Sequence, residues 1–218
     1  MNTSTVINPK TDIPELPTKP FTISEAIDNR NVIDQFKGIN TDIIIGEQMK
    51  RRIPLITIAL NISGDLNKAT CLRTHSGVSG KSFYFLNRPN DQIDSPEGSK
   101  HYNRRGTVGT HIYNTVHHYD INRYKELFAE LRADGYTIIA VDNIQGYDAK
   151  LVYDVELPER TAFIMGEEGL GVPIEIIEAA DFMTFLPMNG VAPRSYNVST
   201  AHGGVVFEYM RQNRHLIR

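Results

Sequence analysis

The sequence predicts an α/β domain built around a largely parallel sheet. Short apolar runs rich in β-branched residues alternate with segments whose apolar residues recur at helical spacing. Polar or glycine-containing turns separate the two kinds of segment, as they do where strands and helices follow each other along a chain. The 218 residues suffice for one compact domain with a real core, and 40% hydrophobic and 22% charged residues are ordinary globular values.

The first 50 residues are expected to form an N-terminal extension. Residues 1–20 are polar and rich in proline, which favours a flexible or surface-hugging arm. Thr22 or Ser24 can cap a short helix that runs to about Phe36. Asp42–Gly46 contains three consecutive isoleucines and is predicted to be a short buried strand.

Residues 51–218 are expected to form the main domain, and the strand–helix alternation begins with them. Pro54–Leu60 is apolar and β-branched, which predicts a buried strand. A helix over residues 65–76 follows, then a second strand over Ser82–Leu86 and a polar loop over Asp91–Lys100.

The second half continues the alternation. Asn122–Arg132 is predicted to be an amphipathic helix that ends at Gly135 in the C′ position. The further predicted elements are strands over Tyr136–Val141, Thr161–Met165 and Phe182–Leu186, a helix from Pro173 to Ala180 and a long helix over Tyr196–Asn213.

Composition excludes several classes of protein. No window approaches the 18 consecutive apolar residues of a membrane span, and Met1–Lys19 lacks the apolar region of a secretory signal. The single cysteine, Cys71, excludes a disulfide framework and a multi-cysteine zinc site. His117 and His118 are a poor metal pair, since neighbours on a strand point to opposite faces. We therefore expect a cytoplasmic protein with no membrane association and no metal.

The formal charge of −3 conceals an uneven distribution. Residues 1–50 carry 5 basic and 7 acidic side chains, a net charge of −2. Residues 51–125 carry 11 basic and 5 acidic side chains, a net charge of +6, and residues 126–218 carry 7 and 14, a net charge of −7. Local unevenness is common in proteins, but a basic middle segment is also typical of a surface that faces phosphates.

Three segments share one layout, in which a strand ends in a polar or glycine-rich loop that opens a helix. The first contains Asn67-Lys-Ala-Thr-Cys-Leu-Arg73, the second contains Gly166-Glu-Glu-Gly-Leu-Gly171, and the third runs from Leu186-Pro-Met-Asn-Gly190 into Ser195-Tyr-Asn-Val-Ser-Thr-Ala201. In open α/β sheets, ligands bind just beyond the carboxyl ends of the strands, where all three segments are expected to lie.

Taken in this order, the segments resemble the three signature motifs of the SpoU (TrmH-like) branch of the SPOUT RNA methyltransferases. The resemblance covers roughly residues 54 to 213, and the third motif is its most specific part. Three positions depart from the family pattern: Ala69 stands for glycine, Glu167 for asparagine and Tyr196 for leucine. The loop from Met188 to Ser195 is also one residue longer than usual.

The resemblance implies a SPOUT-type α/β knot, with a mostly parallel sheet flanked by helices and a C-terminal trefoil knot. It further implies a homodimer that binds S-adenosyl-L-methionine and methylates a ribose 2′-hydroxyl in tRNA or rRNA. The residues that it assigns to the cofactor are Val141, Asp142, Gly166, Gly171, Leu186, Met188, Ser195 and Tyr196. Those that it assigns to catalysis are Arg73, Asn67, Glu168, Ser195 and Asn197.

Arg73 admits two chemical roles. The family pattern implies that it acts as a base on the 2′-hydroxyl, but a guanidinium normally stays protonated and has no acceptor. It can alternatively hold the phosphate next to the target ribose in a bidentate clamp. Asn67 and Glu168 are expected to position Arg73 or the ribose. Taken singly, each of these residues is also compatible with a purely structural role, such as a surface arginine or a helix cap.

Two other functions are compatible with the same sequence. Ala69 and Glu167 are also compatible with a catalytically inactive, knotted RNA-binding relative. A methyltransferase that acts on protein or on a small molecule is the third possibility, and it predicts no salt-dependent affinity for RNA. The 1–50 extension can bind RNA or pack against the domain or the dimer, and its net charge of −2 favours packing.

Overall fold

A computed structural model describes residues 41–88, 104–144, 146–191 and 194–217. The predicted N-terminal arm, the helix that ends near Phe36 and the polar loop Asp91–Lys100 lie outside these ranges. A division into two compact units falls between Arg51 and Arg52. That the first unit is an accessory extension and the second a methyltransferase domain stays a prediction.

The first described element is a helix, α1 (Thr41–Lys50), so the strand predicted over Asp42–Gly46 is wrong. The three isoleucines favour a strand, but Glu47, Gln48, Met49 and Lys50 follow them and are good helix formers. A salt bridge of 2.6 Å between Lys50 and Glu47 joins successive turns. Ile43 is 59% exposed, so this segment is not a buried strand.

Seven strands form one sheet: β1 (Ile53–Leu60), β2 (Gly80–Asn87), β3 (Val116–Asp120), β4 (Thr137–Val141), β5 (Ala149–Leu151), β6 (Thr161–Met165) and β7 (Phe182–Phe185). Their order is β3-β2-β1-β6-β4-β7-β5, and every pairing among them is parallel. The predicted parallel α/β sheet is confirmed. The trefoil knot stays a prediction.

Five further helices lie between or after the strands: α2 (Asp65–Gly77), α3 (Arg104–Thr107), α4 (Tyr124–Ala133), α5 (Ile174–Ala179) and α6 (Val198–Gln212). Short 3₁₀ turns cover Thr110–Tyr113, Ile121–Arg123, Val152–Asp154 and Arg214–Leu216. The predicted helices over 65–76, 122–132, 173–180 and 196–213 are confirmed to within two residues at each end. Gly135 ends α4 as predicted, because the Gly135 and Tyr136 N–H groups donate to the carbonyls of Arg132 and Leu131.

The sequence prediction missed two strands, β3 and β5. β3 reads Val-His-His-Tyr-Asp, in which Val116 is the one aliphatic residue. Its imidazoles stack on the aromatic rings of β2 instead, His117 on Tyr84 and His118 on Phe85. The two histidines therefore belong to opposite faces of the sheet, as their adjacency predicts. β5 has only three residues and lies at the opposite edge of the sheet.

The sheet is covered on both faces. On one face, Leu55 and Ala59 of β1 pack with Cys71 of α2 and with Val205 and Tyr209 of α6. The other face packs against α4 and α5, through the side chains of Ile56, Ile58, Leu60, Leu127, Phe128, Leu131, Ile176 and Ile177. β1 is buried on both faces, which explains why its sequence is an almost unbroken apolar run.

A buried polar cluster lies within the α2–α6 face. The Thr57 hydroxyl of β1 lies 3.1 Å from Nδ1 of His75 on α2 and 3.0 Å from Nε2 of His202 on α6. All three residues are fully buried. A hydroxyl has one proton to donate, so it donates to one ring and accepts an N–H from the other. Both helices are thereby joined to the central strand by one hydroxyl group.

The described residues contain no helix with the length and hydropathy needed to span a bilayer. They also contain no cluster of three or more histidine, cysteine, aspartate or glutamate side chains arranged to hold a metal ion.

Candidate active site

The carboxyl ends of β1, β4, β6 and β7 lie at one edge of the sheet, because these strands are parallel neighbours. The loops that leave β4, β6 and β7 bound a cavity of about 660 Å³. Its lining comes from three loops and the start of α6: Val141, Asp142, Asn143, Met165, Gly166, Glu167, Glu168, Gly169, Gly171, Phe185, Leu186, Met188, Arg194, Ser195, Tyr196, Asn197, Val198 and Ala201. The volume is that of a small-molecule site, which typically measures about 300 to 1,000 Å³.

All eight residues predicted to bind the cofactor line this cavity, as do Glu168 and Asn197 from the predicted catalytic set. They come from the loops after β4, β6 and β7, which are far apart in sequence. The parallel sheet therefore brings the predicted cofactor segments together, although their roles stay a prediction.

The loop Gly166–Gly171 is closed by two backbone hydrogen bonds of 3.1 Å that Glu167 and Gly171 exchange. This closure is so tight that a Cβ at Gly166 would lie 2.4 Å from the carbonyl carbon of Gly171. Gly171 itself has a φ of +73°, which side chains rarely tolerate. The loop thus requires a glycine at both ends.

Asp142 holds this loop from the neighbouring strand. Its Oδ2 accepts a hydrogen bond of 2.6 Å from the backbone N–H of Val172, and its Oδ1 accepts one of 2.7 Å from that of Asn143. A Cβ at Gly171 would lie 2.4 Å from Asp142 Oδ2, so the carboxylate packs directly on the glycine. Asp142 therefore shapes one wall of the cavity.

Tyr196 closes the third loop. Its hydroxyl donates a hydrogen bond of 2.9 Å to the carbonyl of Pro187, which ties the two ends of the Pro187–Tyr196 segment together. The ring is 47% exposed and lines the cavity, so it is not a core residue. Leucine, which the family pattern has here, has no hydroxyl for this bond.

Asn67, Glu168 and Asn197 form a hydrogen-bonded network at the mouth of the cavity. Asn67 Nδ2 donates to Glu168 Oε1 at 3.0 Å, and Asn197 Nδ2 donates to Asn67 Oδ1 at 3.0 Å. One residue from each of the three motifs takes part. The parallel sheet has thus brought together side chains that lie up to 130 positions apart in sequence.

The Glu168 carboxylate also accepts backbone N–H groups from the start of α2, from Gly64 at 3.1 Å and from Ser63 at 3.2 Å. Burial acts to raise its pKa, but the bonds from Asn67 and from these N–H groups outweigh burial and lower the pKa below the usual value. Glu168 therefore remains ionised, with its oxygens occupied, and acts as an anchor for Asn67 and α2.

Asn197 is the N-cap of α6. Its Oδ1 accepts hydrogen bonds from the Ser199 N–H at 2.9 Å and from the Ser199 hydroxyl at 2.6 Å. This capping role leaves its amide nitrogen to reach Asn67. Ser195 lines the cavity two residues earlier.

Arg73 is not part of this network. It lies on α2 six residues beyond Asn67, its side chain is exposed, and it is not among the cavity-lining residues. It makes no hydrogen bond or ion pair to another residue in the described part of the chain. The structure thus brings four of the five predicted catalytic residues to the cavity or its mouth and leaves Arg73 on the adjacent surface.

Sequence reasoning missed a second polar cluster beside the first, formed by Asn61, Arg88 and Glu167. Asn61 Nδ2 donates to Glu167 Oε2 at 2.7 Å, and Nη2 of Arg88 lies 3.2 Å from the same oxygen. The available signal was position, because Asn61 comes directly after one predicted strand and Arg88 two residues after the next. Arg194, which lines the cavity next to Ser195, was missed in the same way.

Comparison with known proteins agrees with this geometry. The model of the SpoU rRNA Methylase family matches residues 54–207. The chain is 29% identical over 163 residues to the tRNA (guanosine(18)-2′-O)-methyltransferase of Aquifex aeolicus, which covers 75% of this chain and 72% of that protein. It is also 29% identical over 159 residues to the 23S rRNA (guanosine-2′-O-)-methyltransferase RlmB of Neisseria meningitidis, which covers 73% of this chain and 59% of that protein.

Solved structures show the same fold. The A. aeolicus TrmH/SpoU tRNA modifying enzyme superimposes with a TM-score of 0.67 at 25% identity, covering 80% of this chain and 84% of that chain. An AdoMet-bound rRNA methyltransferase from Sinorhizobium meliloti gives a TM-score of 0.59 at 19% identity, covering 72% and 56%. The family model spans most of the sheet and all three motif segments, and the chain therefore belongs to the SpoU rRNA methylase family.

Proposed function

We propose that the protein transfers a methyl group from S-adenosyl-L-methionine to a ribose 2′-hydroxyl in tRNA or rRNA. The observation that carries the proposal is the Asn67–Glu168–Asn197 network, which unites the three motifs at the mouth of a cavity of small-molecule size. The names of the relatives from A. aeolicus and N. meningitidis support the same reaction and RNA class.

The residues that line the cavity combine apolar side chains with backbone polar groups, which suits S-adenosyl-L-methionine. Val141, Met165, Phe185, Leu186 and Val198 offer an apolar surface for a flat base, and the backbone of the Gly166–Gly171 loop offers polar groups. Gly169 has open space where a Cβ would be, which lets a ligand approach the chain closely. When bound, this cofactor supplies an electrophilic methyl group on a sulfonium, and no metal is needed to activate it.

The residues around the mouth would position the ribose. Glu168 is ionised and saturated with donors, so it fixes Asn67 and does not take the hydroxyl proton. Asn67 and Asn197 are held at both ends and form a rigid polar surface beside the cavity. Ser195 lines the cavity without a hydrogen bond to another described residue, so its hydroxyl can contact the substrate or the cofactor.

Arg73 is proposed to clamp the phosphate next to the target ribose. Its exposure on α2 suits a group that meets a large polyanion, and a guanidinium binds phosphate oxygens in bidentate fashion. The clamp uses the donors of the guanidinium directly, whereas the base role implied by the family pattern needs an acceptor, which this group lacks.

The decisive experiment is methyl transfer from labelled S-adenosyl-L-methionine to total tRNA and to rRNA, with Arg73→Ala as the control. Transfer by the unaltered protein, strongly reduced in the variant, is the expected result. Primer extension or mass spectrometry then locates the modified nucleotide. No transfer to either RNA class would rule out the proposed reaction.

The rival function, an inactive RNA-binding relative, is tested by calorimetry with S-adenosyl-L-methionine. Ala69, one of the two departures that suggested it, is fully buried and does not line the cavity. Its methyl group packs at the backbone of Gly106, where a Cβ would come within 2.7 Å of it. The Ala69 methyl group therefore packs against α3 and does not change the shape of the cavity, which favours the active enzyme over the inactive relative.

We further propose that the protein acts in the cytoplasm as a homodimer. From the sequence, the apolar residues of α6 (Val205, Val206, Phe207, Tyr209 and Met210) are compatible with an isologous interface. Val205, Val206 and Tyr209 are fully buried in the chain's own core, whereas Phe207 is 65% exposed and can contact a second copy. Sedimentation equilibrium of the wild type and of Phe207→Glu tests this assignment.

A further inference from the structure

The ion pair between Arg88 and Glu167 lies beside the Asn67–Glu168–Asn197 network, but neither that network nor the cofactor cavity explains it. Nη2 of Arg88 lies 3.2 Å from Glu167 Oε2 and 3.4 Å from Oε1, so a single nitrogen contacts both carboxylate oxygens. The Arg88 side chain is 51% exposed, whereas the Glu167 side chain is only 13% exposed. Glu167 is thus the buried partner of the pair, and Arg88 is the partner that solvent reaches.

Glu167 is held rigidly from the other side. Its Oε2 accepts a hydrogen bond of 2.7 Å from Asn61 Nδ2, and its backbone is fixed by the two bonds exchanged with Gly171. Asn61 has a φ of +42°, a conformation that asparagine tolerates better than most residues. The carboxylate is therefore a fixed support that orients Arg88.

The guanidinium of Arg88 has unused donors. Only its Nη2 bonds to Glu167, and its Nε and Nη1 groups have no hydrogen-bond partner among the described residues. An arginine anchored at one nitrogen presents its remaining N–H groups in a fixed fork, which matches the spacing of phosphate oxygens. The side chain is thus arranged to bind an oxyanion without first losing its conformational freedom.

The side chains around this position include three carboxylates, with Arg194 as a further cation in the cavity lining. Asp142, Glu167 and Glu168 all lie at the cavity, and their negative field would repel an RNA backbone. Glu168 and Asp142 are satisfied by N–H donors, which carry no full charge. Arg88 offsets the charge of Glu167, and its side chain is exposed enough for an RNA phosphate to reach it.

We propose that Arg88, oriented by Glu167 and Asn61, binds a backbone phosphate of the RNA at the rim of the active site. The inference rests on the proposed function, because it assumes an RNA substrate. It assigns to Glu167 a role as a positioning residue for Arg88.

Filter binding of unfractionated tRNA from about 50 to about 300 mM salt tests the proposal. Each phosphate contact contributes about 0.7 to 0.9 to the slope of log K against log salt concentration. Arg88→Ala is expected to make this slope shallower by about that amount, and Arg88→Lys is expected to retain it. An unchanged slope in Arg88→Ala would show that the ion pair is merely structural.

Arg132→Ala is the matched control. Arg132 resembles Arg88, since it forms an ion pair of 2.9 Å with Asp181 and is 42% exposed. Asp181 also accepts the N–H of Ile138 near the start of β4, so this pair lies at the amino ends of the strands, whereas the cavity lies at their carboxyl ends. The slope should not change in this variant. If it falls as much as in Arg88→Ala, the effect belongs to general surface charge and the proposal is wrong.

A double-mutant cycle tests the positioning role. Glu167→Gln removes the ion pair but keeps the shape, and its effect on tRNA affinity should be smaller in an Arg88→Ala background than in the wild type. Equal effects in both backgrounds would contradict the role of Glu167. Methyl transfer by the unaltered protein is measured on the same tRNA and on rRNA, so that failure of the proposed function is distinguished from failure of the Arg88 contact alone.

Discussion

Asn197 donates a hydrogen bond from its side-chain amide to Oδ1 of Asn67 across 3.0 Å. One partner is the N-cap of α6 and the other lies in the first turn of α2, so the bond connects the starts of two helices. The same two helices share a second connection deeper in the core, through Thr57 and the two buried histidines. The site is therefore held by the same pair of elements that form one face of the core.

Asn67→Ala should lower kcat/KM for methyl transfer by about 10- to 100-fold. The change removes the donor to Glu168 and the acceptor for Asn197, and unpairing such polar groups costs about 1 to 3 kcal/mol. Thr70→Ala is the control, because among the described residues the Thr70 hydroxyl bonds the Leu66 carbonyl of its own helix and no other group. Equal rates in the two variants would show that the network does not serve catalysis.

Gly171→Ala should weaken S-adenosyl-L-methionine binding at least about tenfold. A methyl group there lies 2.4 Å from Asp142 Oδ2 on a backbone with positive φ, at a cost above about 1 kcal/mol. Gly77→Ala, at the end of α2 and outside the cavity lining, meets nothing within 4 Å and should bind nearly as well as the wild type. Calorimetry compares the two, and matching affinities would contradict the tight-loop interpretation.

Tyr196→Phe should weaken cofactor binding by about two- to tenfold, since one hydrogen bond is worth about 0.5 to 1.5 kcal/mol. The hydroxyl is the group that fixes the Pro187–Tyr196 loop before the ligand arrives. Tyr153→Phe, at a residue that is 57% exposed and outside the cavity lining, provides the comparison. An unchanged dissociation constant in Tyr196→Phe would mean that the loop is ordered by other contacts.

Stability should fall as the pH drops below about 6.5. Burial lowers the pKa of His75 to about 3 and that of His202 to about 4, from an ordinary value of 6.5. Between the lowered pKa values and pH 6.5, the two histidines are protonated in the unfolded chain but neutral in the folded chain. Their contribution to the free energy of unfolding is therefore present above pH 6.5 and is lost as the pH falls below it. The two groups together correspond to roughly 4 kcal/mol between pH 7 and pH 5.

Urea unfolding at pH 7 and pH 5 measures this loss directly. Thr57→Val provides a second test, because it leaves both imidazoles without their shared partner and should lower stability at every pH. Equal unfolding free energies at the two pH values would show that the buried histidines are protonated in the folded state.

Much of the fold could be predicted because the sheet is buried on both faces. Strands such as Pro54–Leu60 must be apolar throughout, which makes them visible in a single sequence. β3 escaped prediction because ring stacking of His117 and His118 replaces aliphatic packing. The isoleucines of α1 misled the prediction because three β-branched residues weigh more than the helix formers that follow them.

The residues of the site that belong to motifs could be predicted, but the contacts between residues far apart in sequence could not. The sequence placed Asn67, Glu168 and Asn197 at strand ends, but their mutual contacts follow from strand order, which the sequence does not state. The Arg88–Glu167 pair spans 79 positions and joins two loops that no motif connects. The hydrogen bond that Asp142 accepts from the Val172 N–H, which holds the Gly166–Gly171 loop, also could not be predicted from its position after a strand.

Cys71 lies on α2 between Asn67 and Arg73 and is fully buried. Burial, with a smaller contribution from the Glu168 charge, raises the pKa of its thiol to about 12, so the folded chain offers almost no thiolate to an alkylating reagent. Because the chain has a single cysteine, each modified molecule records one detachment of α2 from the sheet. The alkylation rate therefore reports how often the helix that carries the first motif opens. A lower rate in the presence of cofactor would measure how strongly the bound cofactor stabilises that helix, although the cavity lies outside it.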